Sequence, residues 1–508
     1  MNGNFNKKEF GDYQTPLHFS DTICRYIKNN IISNPDYIIE PNCGIGNFLK
    51  SAGKYFPRSI MYGIEINHDY ASYASKILPK HSKIFINDFF EFNFENLLNE
   101  ISINKSVLII GNPPWVNNST LSTINGKNVP YKDNIKNLNG FDAITGSSNF
   151  DISESIILKI VKLFYTRKAN ICFICKRTVA RNIIKEMLRT NIHFNHAKLL
   201  NFDSKRIFNI SADACVFHVA LNNEKESEDF CGIYNLSEPT VEISKFGMWN
   251  GNFYSDLHNN PYIFDGKSCF EWRQGIKHDC SKIMELTWDT NNYTNGLNEI
   301  VDIEDTLVYP LIKSSDLKSY IITHTNKSVI VTQNKLKEDT LPIESHANKT
   351  WKYLQSHIKS FNSRKSSIYK NSPLFSIFGI GEYSFAKYKV GVSGFYKKPI
   401  FSLIFSSKPV MLDDTCYFIG FQKFDIAYVA MLILNSSVVQ NFLKSIAFVD
   451  SKRPYTKKVL ERIDFKKITR YLDFIALKKV ERQLLNNDYL TKEILKQFIE
   501  EVNQYSTT

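Results

Sequence analysis

The residues from Ile109 to Asn118 read "IIGNPPWVNN", a buried-strand pattern that stops at Gly111 and gives way to an amide, two prolines and an indole. Consecutive prolines remove two backbone donors, fix φ at both positions and keep Asn112 and Pro113 out of helical backbone. With Pro114 locking it, the turn holds the Asn112 amide, the Pro113 carbonyl and the Trp115 ring in one geometry. A turn needed only to reverse the chain is made more simply from Gly or Asn. Held together, these groups are two hydrogen-bond acceptors and an aromatic surface.

A second constellation lies upstream in "EPNCGIGNFL", from Glu40 to Leu49. Gly44 and Gly46 allow a sharp turn and close approach of a ligand before a helix begins. A lone Gly-x-Gly serves a dinucleotide or a phosphate equally well. Here Glu40 precedes the loop, Pro41 stands where a dinucleotide fingerprint has its first glycine, and no GK[ST] follows for a triphosphate. An acid beside the loop suits a cationic ligand such as a methionine ammonium better than a pyrophosphate. Glu65, about twenty residues on, is placed for a ribose diol. Asp88-Phe89 is placed for the exocyclic amine and face of a purine. Together these residues describe a site for S-adenosylmethionine.

The elements that must position them alternate. Strand "DYIIE", helix "FLKSAGKYF", strand "MYGIE", helix "HDYASYASKIL" and strand "KIFIN" precede the proline turn. Helix "ISESIILKIVKLFYT", strand "ANICFIC", helix "TVARNIIKEMLRT" and strand "DACVFHVAL" follow. This alternation implies a parallel, doubly wound α/β sheet, in which ligands bind beyond the carboxyl ends of the strands. Glu40, Glu65, Asp88 and Asn112 all fall at such ends.

The series "DYQTP", "EPNCGIGNFL", "YGIEI", "INDFFEF" and "GNPPW", in this order within about the first 220 residues, resembles the gamma-class DNA adenine-N6 methyltransferases of restriction–modification systems. The resemblance implies a Rossmann-like, seven-stranded methyltransferase sheet over residues 1–230. A mixed α+β target-recognition domain with a C-terminal helical region would fill 231–508. It places Tyr13, Thr15 and Pro16 against the methionine end of S-adenosylmethionine, with Glu40, Pro41, Asn42, Gly44, Gly46 and Phe48 beside them. Glu65 and Ile66 would meet the ribose and adenine, Asp88 and Phe89 the adenine ring, and Asn112 both cofactor and substrate. The aromatic after the prolines is usually Tyr or Phe in this family; Trp115 keeps a stacking surface and lacks a phenol.

The turn then has a chemical role. An adenine amino group is a poor nucleophile because its lone pair is delocalised into the ring. Acceptance of its two hydrogens by the Asn112 side-chain oxygen and the Pro113 carbonyl lets the nitrogen move towards a tetrahedral form, with positioning and electrostatics supplying most of the catalysis. The base is inaccessible in a duplex and must be flipped out and stacked, the task for Trp115. The long polar segment from Val116 to Asn149 is expected to order over that base.

Composition sets the frame. The chain has 508 residues, enough for two to four domains, and 43% hydrophobic content, enough for sizeable cores. It has no membrane-length apolar run and a polar start, "MNGNFNKKEF". Nine scattered cysteines suggest a reducing cytoplasm, and Cys172 and Cys175 read as buried thiols on opposite faces of one strand. No metal-spaced Cys/His cluster is present, so no metal is expected.

A net charge of +12 favours a polyanion, which the resemblance makes double-stranded DNA in a bacterial cytoplasm. Between Trp351 and Ile400 nine Lys or Arg face a single acid, Glu382, with aromatics interleaved. Arg364, Lys365 and Lys389 of that stretch are candidate DNA contacts. So are Trp272, Arg273 and Lys277 in "CFEWRQGIKHDC", and Lys452, Arg453 and Tyr455 in "SKRPYTKKVLERI". A monomer is expected, with a separately encoded cognate endonuclease as its counterpart. RNA or protein-glutamine N-methylation, and a catalytically silent DNA-specificity module, are the rival readings. Neither rival methyl transfer needs so long a basic, aromatic second half, and intact Glu40, Glu65, Asp88 and Asn112 argue against a silent module.

Overall fold

The computed structural model describes residues 14–115, 151–210, 213–222, 226–258, 261–289 and 292–505. Tyr13 and the segment expected to order over the base, Val116 to Asn149, lie outside the described residues. The chain forms two compact units, Met1–His258 and Asn259–Thr508.

In the first unit α1 (Leu17–Asn30) leads into β1 (Tyr37–Glu40), α2 (Asn47–Tyr55), β2 (Ile60–Glu65), α3 (His68–Ile77), β3 (Ser82–Ile86), α4 (Phe94–Glu100) and β4 (Val107–Gly111). There follow α5 (Ile152–Phe164), β5 (Ala169–Lys176), α6 (Arg177–Arg189), β6 (His196–Asn201), α7 (Ser204–Phe208) and β7 (Ala214–Leu221). Three more strands, β8 (Phe230–Asn235), β9 (Ser244–Trp249) and β10 (Asn252–Tyr254), complete one sheet of order β10-β9-β8-β6-β7-β5-β4-β1-β2-β3. Strands β1 to β5 are mutually parallel. β4 is buried along its length, as a strand covered on both faces must be, and Cys172 and Cys175 are buried on β5.

Three expectations need correcting. The sheet is mixed, because β7 runs antiparallel to both β5 and β6. It has ten strands rather than seven, and the first unit closes at His258, not at residue 230. The charged run before Phe230 is a connection within the sheet. Beyond it β8 pairs with β6, and Cys231 and Phe246 bury their side chains, so apolar burial continues where composition suggests a linker.

The second unit is α+β. A five-stranded sheet joins β11 (Arg273–Gln274), β16 (Ile321–Ile322), β18 (Tyr388–Ser393), β19 (Ser402–Ile404) and β21 (Cys416–Phe421) in the order β11-β21-β18-β19-β16. A six-stranded sheet orders β12 (Glu285–Asp289), β13 (Asn292–Asn295), β14 (Ile300–Val301), β15 (Val308–Ile312), β17 (Lys327–Ile330) and β20 (Met411–Leu412) as β14-β13-β12-β17-β15-β20. The apolar run near Ile433 is core, but it is two helices, Phe424–Asn435 and Ser437–Ile446, bent by 62°. Ser436 makes the break: its Oγ donates to the Ile433 carbonyl (2.6 Å) and accepts from the Val439 N–H (3.5 Å), capping the second helix. No single helix among the described residues is long and apolar enough to cross a membrane.

Candidate active site

The strand order reverses between β1 and β4, which is where a doubly wound sheet opens a crevice at its carboxyl edge. Glu40 ends β1, Glu65 ends β2, Asp88 follows β3 by two residues and Asn112 directly follows β4. Glycines bring these ends close. Gly44 and Gly46 take φ of +52° and +82°, where a side chain would be strained, and Gly46 caps α2. At Gly111 (φ +156°) an added Cβ would lie 3.5 Å from Glu40 Cγ, so the start of the proline turn abuts the acid of β1.

The N-terminal segment seats on the glycine loop. An added Cβ on Gly44 would meet Gln14 Oε1 at 2.6 Å, and Asn47 Nδ2 donates to the Thr15 carbonyl at 2.8 Å. Thr15 is buried, and Pro16 caps α1. Glu65 supports the loop from the other side, its two oxygens accepting from the Gly44 and Asn67 N–H groups, each at 2.8 Å.

Glu40 is 3% exposed. Burial drives its pKa well above the ordinary carboxylate range, and the Leu49 N–H only partly opposes this. Its Oε2 and the buried Asn42 Oδ1 have no hydrogen-bond partner among the described residues. A buried acid and an unmatched amide oxygen lining a glycine loop fit an ammonium group, the cationic end of S-adenosylmethionine. Pro41 is buried with them.

Ile66 is exposed beside this edge, and Asp88 Oδ1 accepts from the Phe90 N–H at 2.7 Å. Phe89 packs edge-on against Phe90 and Phe94, with Lys159 Nζ 5.1 Å from its ring centre. The Phe48 side chain is buried in the same core cluster as Trp115.

Trp115 is 8% exposed and meets Phe208 edge-to-face, with ring centres 5.8 Å apart. Phe208 touches Phe202, and both touch Phe19. Sequence spacing missed Phe202 and Phe208. The signal available was an aromatic just beyond the end of an apolar run, "KLLNFDSKRIF". At the same carboxyl edge a cavity of about 450 Å³ is lined by Arg177, Asn201, Phe202, Asp203, Lys205 and Asp213 among others. Arg177 and Asp213 pair across it at 3.1 Å.

The chain matches no protein-family model. Over 481 residues it is 38% identical to the type II methyltransferase M.NspV of Nostoc sp., a match spanning 92% of this chain and 98% of that protein. The chain belongs to the type II restriction–modification methyltransferases. In fold, the methyltransferase resembles the type IIL restriction–modification enzyme MmeI, solved in complex with DNA. The TM-score is 0.50 at 12% identity, covering 99% of this chain and 77% of that one.

In the second unit of the methyltransferase three expected DNA contacts are core residues. Trp272 is completely buried against Phe401, with ring centres 6.1 Å apart. Tyr455 is buried and donates to the Lys397 carbonyl at 3.0 Å. Lys389 is buried on β18, its Nζ donating to the Ala386 carbonyl at 2.7 Å, and desolvation lowers its pKa to about 7. Arg364 is also structural: it donates to the Ser376 and His278 carbonyls (2.8 and 3.2 Å) and lies 3.8 Å over Tyr369. Lys389 is turned inward by the alternation of its strand, and Trp272, Arg364 and Tyr455 by the packing of irregular segments, neither of which composition reveals. Lys365 and Lys452 are exposed. Arg273, Lys277 and Arg453 are half-exposed, each with an acidic neighbour.

Proposed function

We propose that this methyltransferase transfers a methyl group from S-adenosylmethionine to the N6 amino group of an extrahelical adenine in double-stranded DNA, as a gamma-class modification enzyme. The observation that carries the reading is the close approach of Gly111, the residue before Asn112, to the buried acid Glu40 at the point where the strand order reverses, an added Cβ there lying 3.5 Å from Glu40 Cγ. Glu40 and Asn42 would bind the ammonium, Glu65 the ribose, and Asp88 with Ile66 the purine.

When bound, S-adenosylmethionine supplies an electrophilic methyl group. The chain's part is to hold the acceptor. The Asn112 side-chain oxygen and the Pro113 carbonyl accept the two amine hydrogens, drawing the nitrogen lone pair out of the ring and towards the methyl. Trp115 and Phe208 frame the apolar end of the base, and the adjoining cavity is of a size that suits a nucleotide-sized ligand. The second unit would bind the duplex, with the chain acting as a monomer alongside a separately encoded endonuclease.

The test is direct. Full-length protein, S-adenosylmethionine and unmethylated genomic DNA are incubated, and the DNA is digested to nucleosides for mass spectrometry. N6-methyladenine is the expected product. N4-methylcytosine in its place, or label only on RNA or protein glutamine, would overturn the reading.

A further inference from the structure

Three segments far apart in sequence meet at one turn of the second unit. The extended run through β11 bridges to the Asp413–Asp414 turn: the Ile276 N–H donates to the Leu412 carbonyl at 2.7 Å, and the Gly275 N–H to Cys416 at 3.1 Å. This approach demands glycine. A Cβ on Gly275 would sit 2.1 Å from the Asp413 carbonyl, and one on Gly379 (φ +70°) would sit 2.7 Å from the Gly275 carbonyl.

Polar side chains gather around the turn. Gln274 Nε2 donates to the Asp414 carbonyl at 2.5 Å, and Arg453 Nη1 to the same oxygen at 3.2 Å. Arg453 Nη2 stands 3.8 Å from Asp414 Oδ2, too far for a committed hydrogen bond. Its guanidinium lies over Phe395 at 4.9 Å, and that of Arg273 over Tyr383 at 4.3 Å. Arg273 also pairs with exposed Glu271, while its buried Nε has no partner among the described residues. Lys277 reaches Asp279 at 3.5 Å. Burial and the neighbouring Asp413 raise the Asp414 pKa, and Arg453 and Lys277 oppose the rise.

A surface that only grips phosphates gains nothing from carboxylates, which repel them. A carboxylate can instead accept from the exocyclic amine of cytosine, as arginine donates to guanine O6 and N7 and glutamine pairs with adenine. Side-chain exposures of 31% for Arg453, 33% for Asp414 and 34% for Arg273 describe recessed groups, unlike the outward Lys365 and Lys452. Contact with a ring face restrains both guanidinium groups, which lowers the entropy lost on pairing with a base edge. Resting on the DNA-methylation reading above, we infer that Arg273, Gln274, Lys277, Asp414 and Arg453 form the base-reading patch that sets the methylated sequence.

The experiment expresses the full chain and its variants in a methylation-free host and maps methylated motifs by modified-base sequencing. Wild type should mark one motif. Arg453→Ala and the near-isosteric Asp414→Asn should each accept other bases at a single position, with discrimination there falling roughly ten- to a hundredfold. Lys452→Ala should lower methylation evenly with the motif intact. If Asp414→Asn and Arg453→Ala keep the wild-type motif at any level of modification, the patch does not read bases and the proposal fails alone. Should Arg453→Ala not fold, Asp414→Asn decides, since it preserves shape. A wild type that marks no DNA would remove the underlying reading and this proposal with it.

Discussion

Each unit of this methyltransferase buries an ionisable side chain, and the two burials differ in kind. Glu40 ends β1 at the reversal of strand order, beside two glycines with positive φ, with one oxygen and the neighbouring Asn42 oxygen lacking partners among the described residues. Lys389 sits within β18, between β19 and β21, and its ammonium donates to a carbonyl three residues away in its own chain. Both carry the desolvation penalty of an isolated charge. In the first unit the buried acid stands beside a second polar oxygen that is also without a partner among the described residues; in the second the ammonium has a carbonyl partner in its own chain. The contrast teaches that a buried ionisable group is a candidate for binding a ligand where its polar atoms lack partners, and a structural group where the chain itself supplies one.

The comparison breaks most sharply at the proline turn. Asn112→Ala should lower kcat about a hundred- to a thousandfold, as loss of one preorganised partner of the transition state does. S-adenosylmethionine affinity and melting temperature should stay near wild type. Single-turnover methylation of duplex DNA, with calorimetry for the cofactor, measures both. Near-normal turnover would show that the Asn112 side chain does not hold the acceptor amine.

In the enclosed region the large effect should appear in stability instead. Trp272→Ala removes a fully buried indole from the core and should destabilise the protein by about 3–5 kcal/mol. Denaturant melts would register this. A well-folded variant with weakened DNA binding would return Trp272 to the interface that sequence suggested for it.

That residue also shows what a sequence reveals and what it hides. Strand ends were legible because catalytic spacing and strand alternation coincide: Glu40, Glu65, Asp88 and Asn112 could be assigned to four ends of one sheet, and the structure places them there. Trp272, Lys389 and Tyr455 were not legible, because a basic, aromatic stretch has the same composition whether its side chains turn in or out. A one-residue change of strand register reverses that choice. The close approach of Gly275 to the Asp413–Asp414 turn was hidden for another reason, since it joins residues well over a hundred positions apart. The β8–β10 extension was masked by a charged connection that resembles a linker.

Glu40→Gln sharpens the contrast at smaller scale. It keeps the shape and removes the charge, so S-adenosylmethionine affinity should fall tenfold or more, in line with the roughly 1.5–3 kcal/mol of a hydrogen bond to a charged group. Stability of the free protein should be unchanged or higher at neutral pH. Glu40 has a folded pKa raised above its ordinary 4.5, so its stabilising contribution is full below that value and is lost as pH rises. Calorimetry across pH 5–8 should show the loss of affinity. Equal affinities for the variant and wild type would remove Glu40 from the cofactor site.

Lys389→Met should give the mirror image, without any ligand effect. Burial lowers the lysine pKa from 10.5 to about 7, so between those values the unfolded chain binds a proton that the folded chain does not. Stability of the wild type therefore rises with pH across that window, and the full penalty of the buried ammonium is present below pH 7. Methionine fills a similar volume and carries no charge, so the variant should be more stable at pH 6 and should lack the upward slope between pH 7 and 10. Melting temperatures at matched ionic strength test this, with DNA binding and methylation expected to match wild type. If Lys389→Met weakens DNA binding while leaving the pH slope in place, the ammonium must leave its carbonyl partner to reach a phosphate. The two buried charges would then be alike, each held in reserve for a ligand.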